Sequence, residues 1–258
     1  MTDFKQRVKN RELLCGTHIN LNDPVIGNIV AHLDFDYIWI DMEHNHLSLE
    51  NLLGHIMTIQ NAGKPVLVRA PQDDFTYTKK ILEMGPDAIL FPMIKTKEQA
   101  EKLISYTLYP PYGNRGYGPG NAIKYGIEPS SGYIANNHKD MCRFLQIEHI
   151  DIFDCLDELC ENPFIDGFII GPFDLSGSVG ELENVFGEKT QTLIKKAVEI
   201  VSGHGKSIGL STGARDAETI TKWHDLGINM ISAGADYGML AAGMKNMLET
   251  LKKCHVNG

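Results

Sequence analysis

The 258-residue chain is short of positive charge: 24 Lys and Arg stand against 33 Asp and Glu, a formal net charge of -9. That balance opposes binding to polyanions, and no dense Lys/Arg cluster overrides it locally, so nucleic acid is disfavoured as a partner. Long apolar runs are missing as well. None approaches the ~20 residues of a membrane span, and "MTDFKQRVKN" lacks the form of a signal peptide. A cytoplasmic protein without a membrane partner is expected. Cysteine pairs are also absent: Cys15, Cys142, Cys155, Cys160 and Cys254 form no C-x-x-C motif and no disulfide framework. They read as reduced, mostly buried thiols. There is no internal repeat and no low-complexity tract.

What is present is enough apolar sequence, 43% of the residues, to bury one large core. Eight apolar, β-branched runs read as strands, at 13–19, 37–44, 65–70, 88–94, 143–149, 166–172, 207–213 and 230–236. Amphipathic stretches separate them. "DDFTYTKKILEMG" runs from aspartate starters to a closing Gly85, "KTQTLIKKAVEIVSGHG" stops near Gly203, and Thr96 with Gln99 makes a capping-box pattern. Eight strands, each followed by helical sequence, predict a single-domain (β/α)8 TIM barrel over residues 1–258 rather than an open doubly wound sheet. The Gly-, Pro- and Tyr-rich stretch at about 110–139 reads as one long loop, functional or disordered. Its Arg115 is a candidate for a lid or a subunit contact, or an exposed structural residue.

In a parallel barrel the C-terminal ends of all strands open onto one face, and catalytic side chains gather there. The expected strand ends carry Glu43, His44, Arg69, Gln146, Glu148 and Asp174. Glu148 and Asp174 follow neighbouring strands and could share a hard cation such as Mg2+ or Mn2+. The plainer alternatives are a Lys or Arg partner for Glu148 and an N-cap role for Asp174, with Ser176 as a competing cap. Arg69 suits an anionic ligand, or a structural ion pair with Glu43 or Asp41. His44 suits general acid/base work, or a satisfied core histidine.

The segments "DMEH", "VLVRA", "FPMI", "YPPYGNRGYG", "LQIE" and "GPFDLSGSVG", in this order and spacing, resemble the HpcH/HpaI class II pyruvate aldolases of the phosphoenolpyruvate/pyruvate barrel superfamily. The resemblance runs from about Gly16 to Leu240. It implies that Glu148 and Asp174 hold a divalent metal (Mg2+, Mn2+ or Co2+), that Arg69 stabilises the enolate oxygen, and that His44 is the base. It further implies that Gln146 contacts pyruvate and that backbone N–H groups near Phe173 and Asp174 receive its carboxylate. Two departures stand out. Glu83, in "ILEMG", replaces the aspartate that helps orient the base histidine, and "EHNHLS" places Asn45 and His46 where an aldehyde partner would bind.

The expected activity is reversible retro-aldol cleavage of a 4-hydroxy-2-oxo acid to pyruvate and an aldehyde. Three rivals remain. Lys95, after the fourth strand, could serve a Schiff-base aldolase, although "KTKEQAEK" reads as the solvated start of a helix. His44 and His46, with His149 and Asp236, could ligate zinc in a metal-dependent hydrolase. A barrel that binds a 2-oxo acid without turnover is the third. The Met- and Leu-rich segment "YGMLAAGMKNMLETLKK" could cover the barrel wall. The resemblance implies instead that it packs on a neighbouring subunit of a homo-oligomer, a hexamer or trimer of dimers.

Overall fold

A computed structural model of the chain, which describes residues 4–71 and 74–256, closes eight parallel strands into a barrel. The strands are β1 (Leu14–Ile19), β2 (Tyr37–Asp41), β3 (Val66–Arg69), β4 (Ala88–Phe91), β5 (Cys142–Ile147), β6 (Gly167–Ile170), β7 (Ser207–Thr212) and β8 (Met230–Ala235). Each pairs with the next, and β1 returns to β8, as the eight apolar runs predict. The helices before β4 are α1 (Phe4–Lys9), α2 (Pro24–Ala31), α3 (Leu49–Asn61) and α4 (Phe75–Met84). Then follow α5 (Lys97–Tyr106), α6 (Ser130–Asp140), α7 (Leu156–Glu161), α8 (Pro172–Ser178), α9 (Glu188–Gly203), α10 (Ala217–Asp225) and α11 (Asp236–Val256). Among the described residues no helix is long and apolar enough to cross a membrane.

Strand side chains alternate between two cores. Ile38, Ile40, Val66, Val68, Ile89 and Phe91 point outward and meet the helices. Leu14, Tyr37, Trp39, Leu67, Leu90, Phe144 and Met230 fill the barrel interior, joined by Phe4 and Val8 of α1. At that end Lys5 pairs with Asp166 at 3.1 Å and donates to the Met141 carbonyl at 2.8 Å. With α1 as a plug, only the other end, where the strands terminate, is left to form a cavity.

The helix signals act as predicted. Asp74 caps α4 by accepting from the N–H groups of Thr76 and Tyr77, and Gly85 closes the helix at φ 77°, a left-handed conformation that needs glycine; Asp73, the other expected starter, lies outside the described residues. Thr96 accepts from Gln99 N at 3.2 Å, and the Gln99 side chain reaches back to Lys95 N at 2.9 Å, one residue beyond the usual box partner.

The stretch at 110–139 is not one long loop. It holds a short 3-10 segment, Asn121–Gly126, and all of α6 except its last residue. Helix α6 buries Asn137 rather than an apolar stripe, so hydrophobic periodicity could not reveal it. Its anchor is Arg143, fully buried, which donates to the Asn137 side chain at 3.1 Å and to its carbonyl at 3.2 Å. Arg115 is buried too, contrary to an exposed or lid-like role. Its guanidinium carbon lies 4.5 Å from the Tyr109 ring centre and 5.4 Å from that of Tyr133, and it donates to Leu82 O at 2.9 Å. The five cysteines are free as expected, but only Cys142 and Cys160 are buried.

Candidate active site

The open end of the barrel holds a cavity of about 480 Å³. Of the residues expected from sequence, His44, Arg69, Gln146, Phe173 and Asp174 line it, contributed by the ends of β2, β3, β5 and β6 and the turns after them. Glu148 is buried directly beside it. A Cβ on the cavity-lining Gly171 would come within 2.8 Å of the Glu148 side chain and 2.7 Å of that of Gln146, so the space in front of both depends on a glycine here.

Arg69 is fixed from two sides. Asp41, its partner across the β2–β3 register, receives Nε at 2.8 Å and Nη2 at 2.7 Å, a bidentate pair, and Glu43 stands 2.9 Å from Nη1. The guanidinium carbon lies 5.5 Å from the Trp39 ring centre. Burial alone would raise the Asp41 pKa, yet the Arg69 hydrogen bonds and charge hold it below the usual carboxylate range. Asp41 also accepts from Glu43 N at 3.0 Å and from the Asn45 amide at 3.0 Å, which shapes the turn that carries His44. The His44 ring is largely exposed, with Nε2 3.6 Å from Glu43. Arg69 is thus both an ion-pair partner and a wall of the cavity.

Glu148 follows β5, and Asp174 sits in the first turn of α8 after the neighbouring β6. Asp174 is not an N-cap; Gly171 holds that position without a side-chain hydrogen bond, and Ser176 donates its hydroxyl to Phe173 O at 2.6 Å. Among the described residues Glu148 forms no ion pair with a Lys or Arg, and it takes a hydrogen bond from Met93 N. Burial, with the negative charges of Glu43 and Asp174, pushes its pKa up to about 7 against the pull of Met93 N–H and Arg69. Among the described residues the buried Gln146 Oε1 has no hydrogen-bond partner. The Glu148 and Asp174 carboxylates are hard oxygen donors whose charges oppose one another, a pair that suits a hard divalent cation. Pro172 has no N–H, which leaves those of Phe173 and Asp174 as the open donors of the first turn of α8.

Other expected residues do not join this set. Glu83 lies in the last turn of α4, which runs back from the cavity toward the N-terminal end of β4; there it stands 3.7 Å from Arg115, and within the chain it does not orient His44. Lys95, His46 and His149 do not line the cavity. His149 caps the turn after β5 by accepting from Asp151 N at 3.2 Å. Asp236 is committed to the β1 exit, accepting from Asn20 N at 3.0 Å and Leu21 N at 2.9 Å. Among the described residues no group of three or more His, Cys, Asp or Glu is placed to hold a metal, so a cation here would take ligands beyond the two carboxylates. Sequence reasoning missed His18, Asn20, Ser211 and Thr212, which also line the cavity. A polar residue in the inward phase of an apolar strand was the available signal for His18 and Ser211.

Comparison with known proteins places this geometry. The chain is 29% identical to the hydroxypyruvate/pyruvate aldolase of Pseudomonas aeruginosa over 250 residues, 96% of this chain and 92% of that protein. It is 28% identical to the 2-keto-3-deoxy-L-rhamnonate aldolase of Escherichia coli, with the same coverage. The crystal structure of an HpcH/HpaI aldolase from Desulfitobacterium hafniense superimposes with a TM-score of 0.87 at 25% identity, covering 96% of each chain. The sequence pattern of the HpcH/HpaI aldolase/citrate lyase family matches residues 14–242. The chain belongs to the HpcH/HpaI aldolase/citrate lyase family and is a carbon–carbon lyase.

Proposed function

We propose that this lyase reversibly cleaves a 4-hydroxy-2-oxo acid into pyruvate and an aldehyde. The observation that carries the reading is the convergence, at one cavity, of a rigidly held guanidinium with the Asp174 carboxylate on its wall and the buried Glu148 carboxylate beside it, whose charge is opposed by burial and by its acidic neighbours. The relatives named above, aldolases of hydroxypyruvate/pyruvate and of 2-keto-3-deoxy-L-rhamnonate, support it. Arg69 donates to the 2-oxo oxygen and stabilises the negative charge that develops there as the C3–C4 bond breaks. The N–H groups of Phe173 and Asp174 receive the carboxylate, and Gln146 orients the same end of the substrate. His44 takes the proton from the 4-hydroxyl, and in the synthetic direction returns it to the new alkoxide. A divalent cation held by Glu148 and Asp174, Mg2+, Mn2+ or Co2+, supplies Lewis-acid polarisation of the 2-oxo acid when bound.

The test is pyruvate release, coupled to lactate dehydrogenase, from a panel of 4-hydroxy-2-oxo acids with each metal and with EDTA. Metal-dependent release that EDTA abolishes is expected. Release that survives EDTA and is trapped by borohydride would move the chemistry to a lysine. No release from any substrate would leave hydrolysis or binding without turnover.

Helix α11 supports a homo-oligomer. Met239, Leu240, Met244, Met247, Leu248 and Leu251 are each about half exposed or more, an apolar length that a second copy would cover. Light scattering is expected to give a hexamer or trimer of dimers; a stable monomer at micromolar concentration would overturn this.

A further inference from the structure

The floor of the cavity contains a polar pair that the aldol chemistry above does not use. His18 lies in the inward phase of β1, its ring 4.9 Å from the Trp39 ring, the same indole on which Arg69 rests. Its Nδ1 is 2.6 Å from Gly234 O and its Nε2 is 3.0 Å from Ser211 Oγ. The strands that carry Ser211 and His18 flank β8, which carries Gly234, and all three residues line the cavity.

The hydrogen-bond roles follow from chemistry. A carbonyl only accepts, so Nδ1 carries the proton. Burial pulls the His18 pKa down and keeps the ring neutral, which leaves Nε2 a lone pair. Ser211 then spends its only proton on Nε2. What it presents to the cavity is an oxygen that can accept a hydrogen bond and cannot donate one.

We propose that the His18–Ser211 pair determines donor specificity: Ser211 Oγ accepts a hydrogen bond from a hydroxyl on the carbon beside the 2-oxo group, so the enzyme prefers hydroxypyruvate to pyruvate. The proposed pose puts the 2-oxo oxygen on Arg69 and the adjacent carbon toward His18 and Ser211, which line the same cavity; Arg69 and His18 both contact the Trp39 ring. The inference rests on the aldol reading and deepens it. In cleavage of a 3,4-dihydroxy-2-oxo acid, the C3–C4 electron pair stays on C3 and the 4-hydroxyl proton goes to His44. C4 leaves as the aldehyde, and C3 takes a proton from solvent to give hydroxypyruvate. The 3-hydroxyl keeps its proton throughout, donated to Ser211, and nothing is oxidised or reduced.

The experiment uses the full chain with Mg2+. Calorimetry gives Kd for hydroxypyruvate and for pyruvate, and initial rates are taken for addition of each to glycolaldehyde. The protein should bind hydroxypyruvate more tightly, and Ser211→Ala should reduce the hydroxypyruvate-to-pyruvate ratio roughly tenfold in both measurements. His18→Phe should do the same. His18→Gln, whose amide can face Gly234 O with its NH2 and Ser211 with its oxygen, should restore most of the ratio, which a merely structural role for His18 does not require. Less than a threefold binding preference in the unmodified protein, or an equal loss for both donors in Ser211→Ala, overturns the proposal. A binding ratio that shifts as expected without aldol addition from either donor overturns the aldol reading and leaves the pair standing. Addition of both donors at a ratio the variants do not move does the reverse.

Discussion

Glu148→Gln is expected to lower kcat/KM by at least about 10³-fold while leaving the metal-free protein as stable as the unmodified one. The two halves have one cause. Glu148 is held among other carboxylates with burial acting against its charge, and the proposed metal offsets both. Glutamine keeps the shape and an acceptor for Met93 N–H, so the fold loses little, and a repulsive charge is removed. What disappears is an anionic ligand, and with it Lewis-acid stabilisation of several kcal/mol, about 10³-fold in rate. Thermal melts with and without Mn2+ separate this from a folding defect. The metal should raise the melting temperature of the unmodified protein and leave that of Glu148→Gln in place. A variant that keeps both its metal-induced rise and its rate would take the cation away from Glu148.

The barrel was legible because a strand packed on both faces must be apolar along its length, and each of the eight runs is then broken by polar residues where it meets the cavity. The same rule found Arg69 and Gln146, which sit at strand ends and line the cavity, and Glu148, buried beside it. It passed over His18 and Ser211, because each lies inside its strand and not past the end; the signal was a polar residue in the inward phase, which is read only once the phase of the pleat is fixed. Glu83 lies apart from His44 within the chain. Its motif matches in spacing, but α4 carries it toward the N-terminal end of β4, beside Arg115. Helix α6 was illegible because its buried contact is an asparagine held by Arg143, an interaction formed between segments and not a pattern within one.

Asp41→Asn should destabilise the protein by roughly 3 kcal/mol and lower kcat/KM by about 10²-fold. Asp41 takes both Nε and Nη2 of Arg69 in a site almost closed to water. An asparagine offers one acceptor oxygen and no charge, so a buried guanidinium loses half of its counter-charge and keeps only Glu43. Glu43 lies toward His44, so the guanidinium is expected to swing that way and off the position from which it meets the 2-oxo oxygen. The pH dependence has a definite sign. Because Arg69 holds the Asp41 pKa below its unfolded value of about 3.9, the stability it contributes is present in full above about pH 4 and is lost as pH falls through the folded pKa. Urea unfolding should therefore show the full gap between the two proteins at pH 7 and a narrowing gap below pH 4. A gap that stays constant down to pH 3 would mean that Asp41 acts through its shape and hydrogen bonds to Asn45 and Glu43 N, not through its charge. The loss of rate should appear mainly in kcat, since the contact that Arg69 makes strengthens as charge develops on the oxygen.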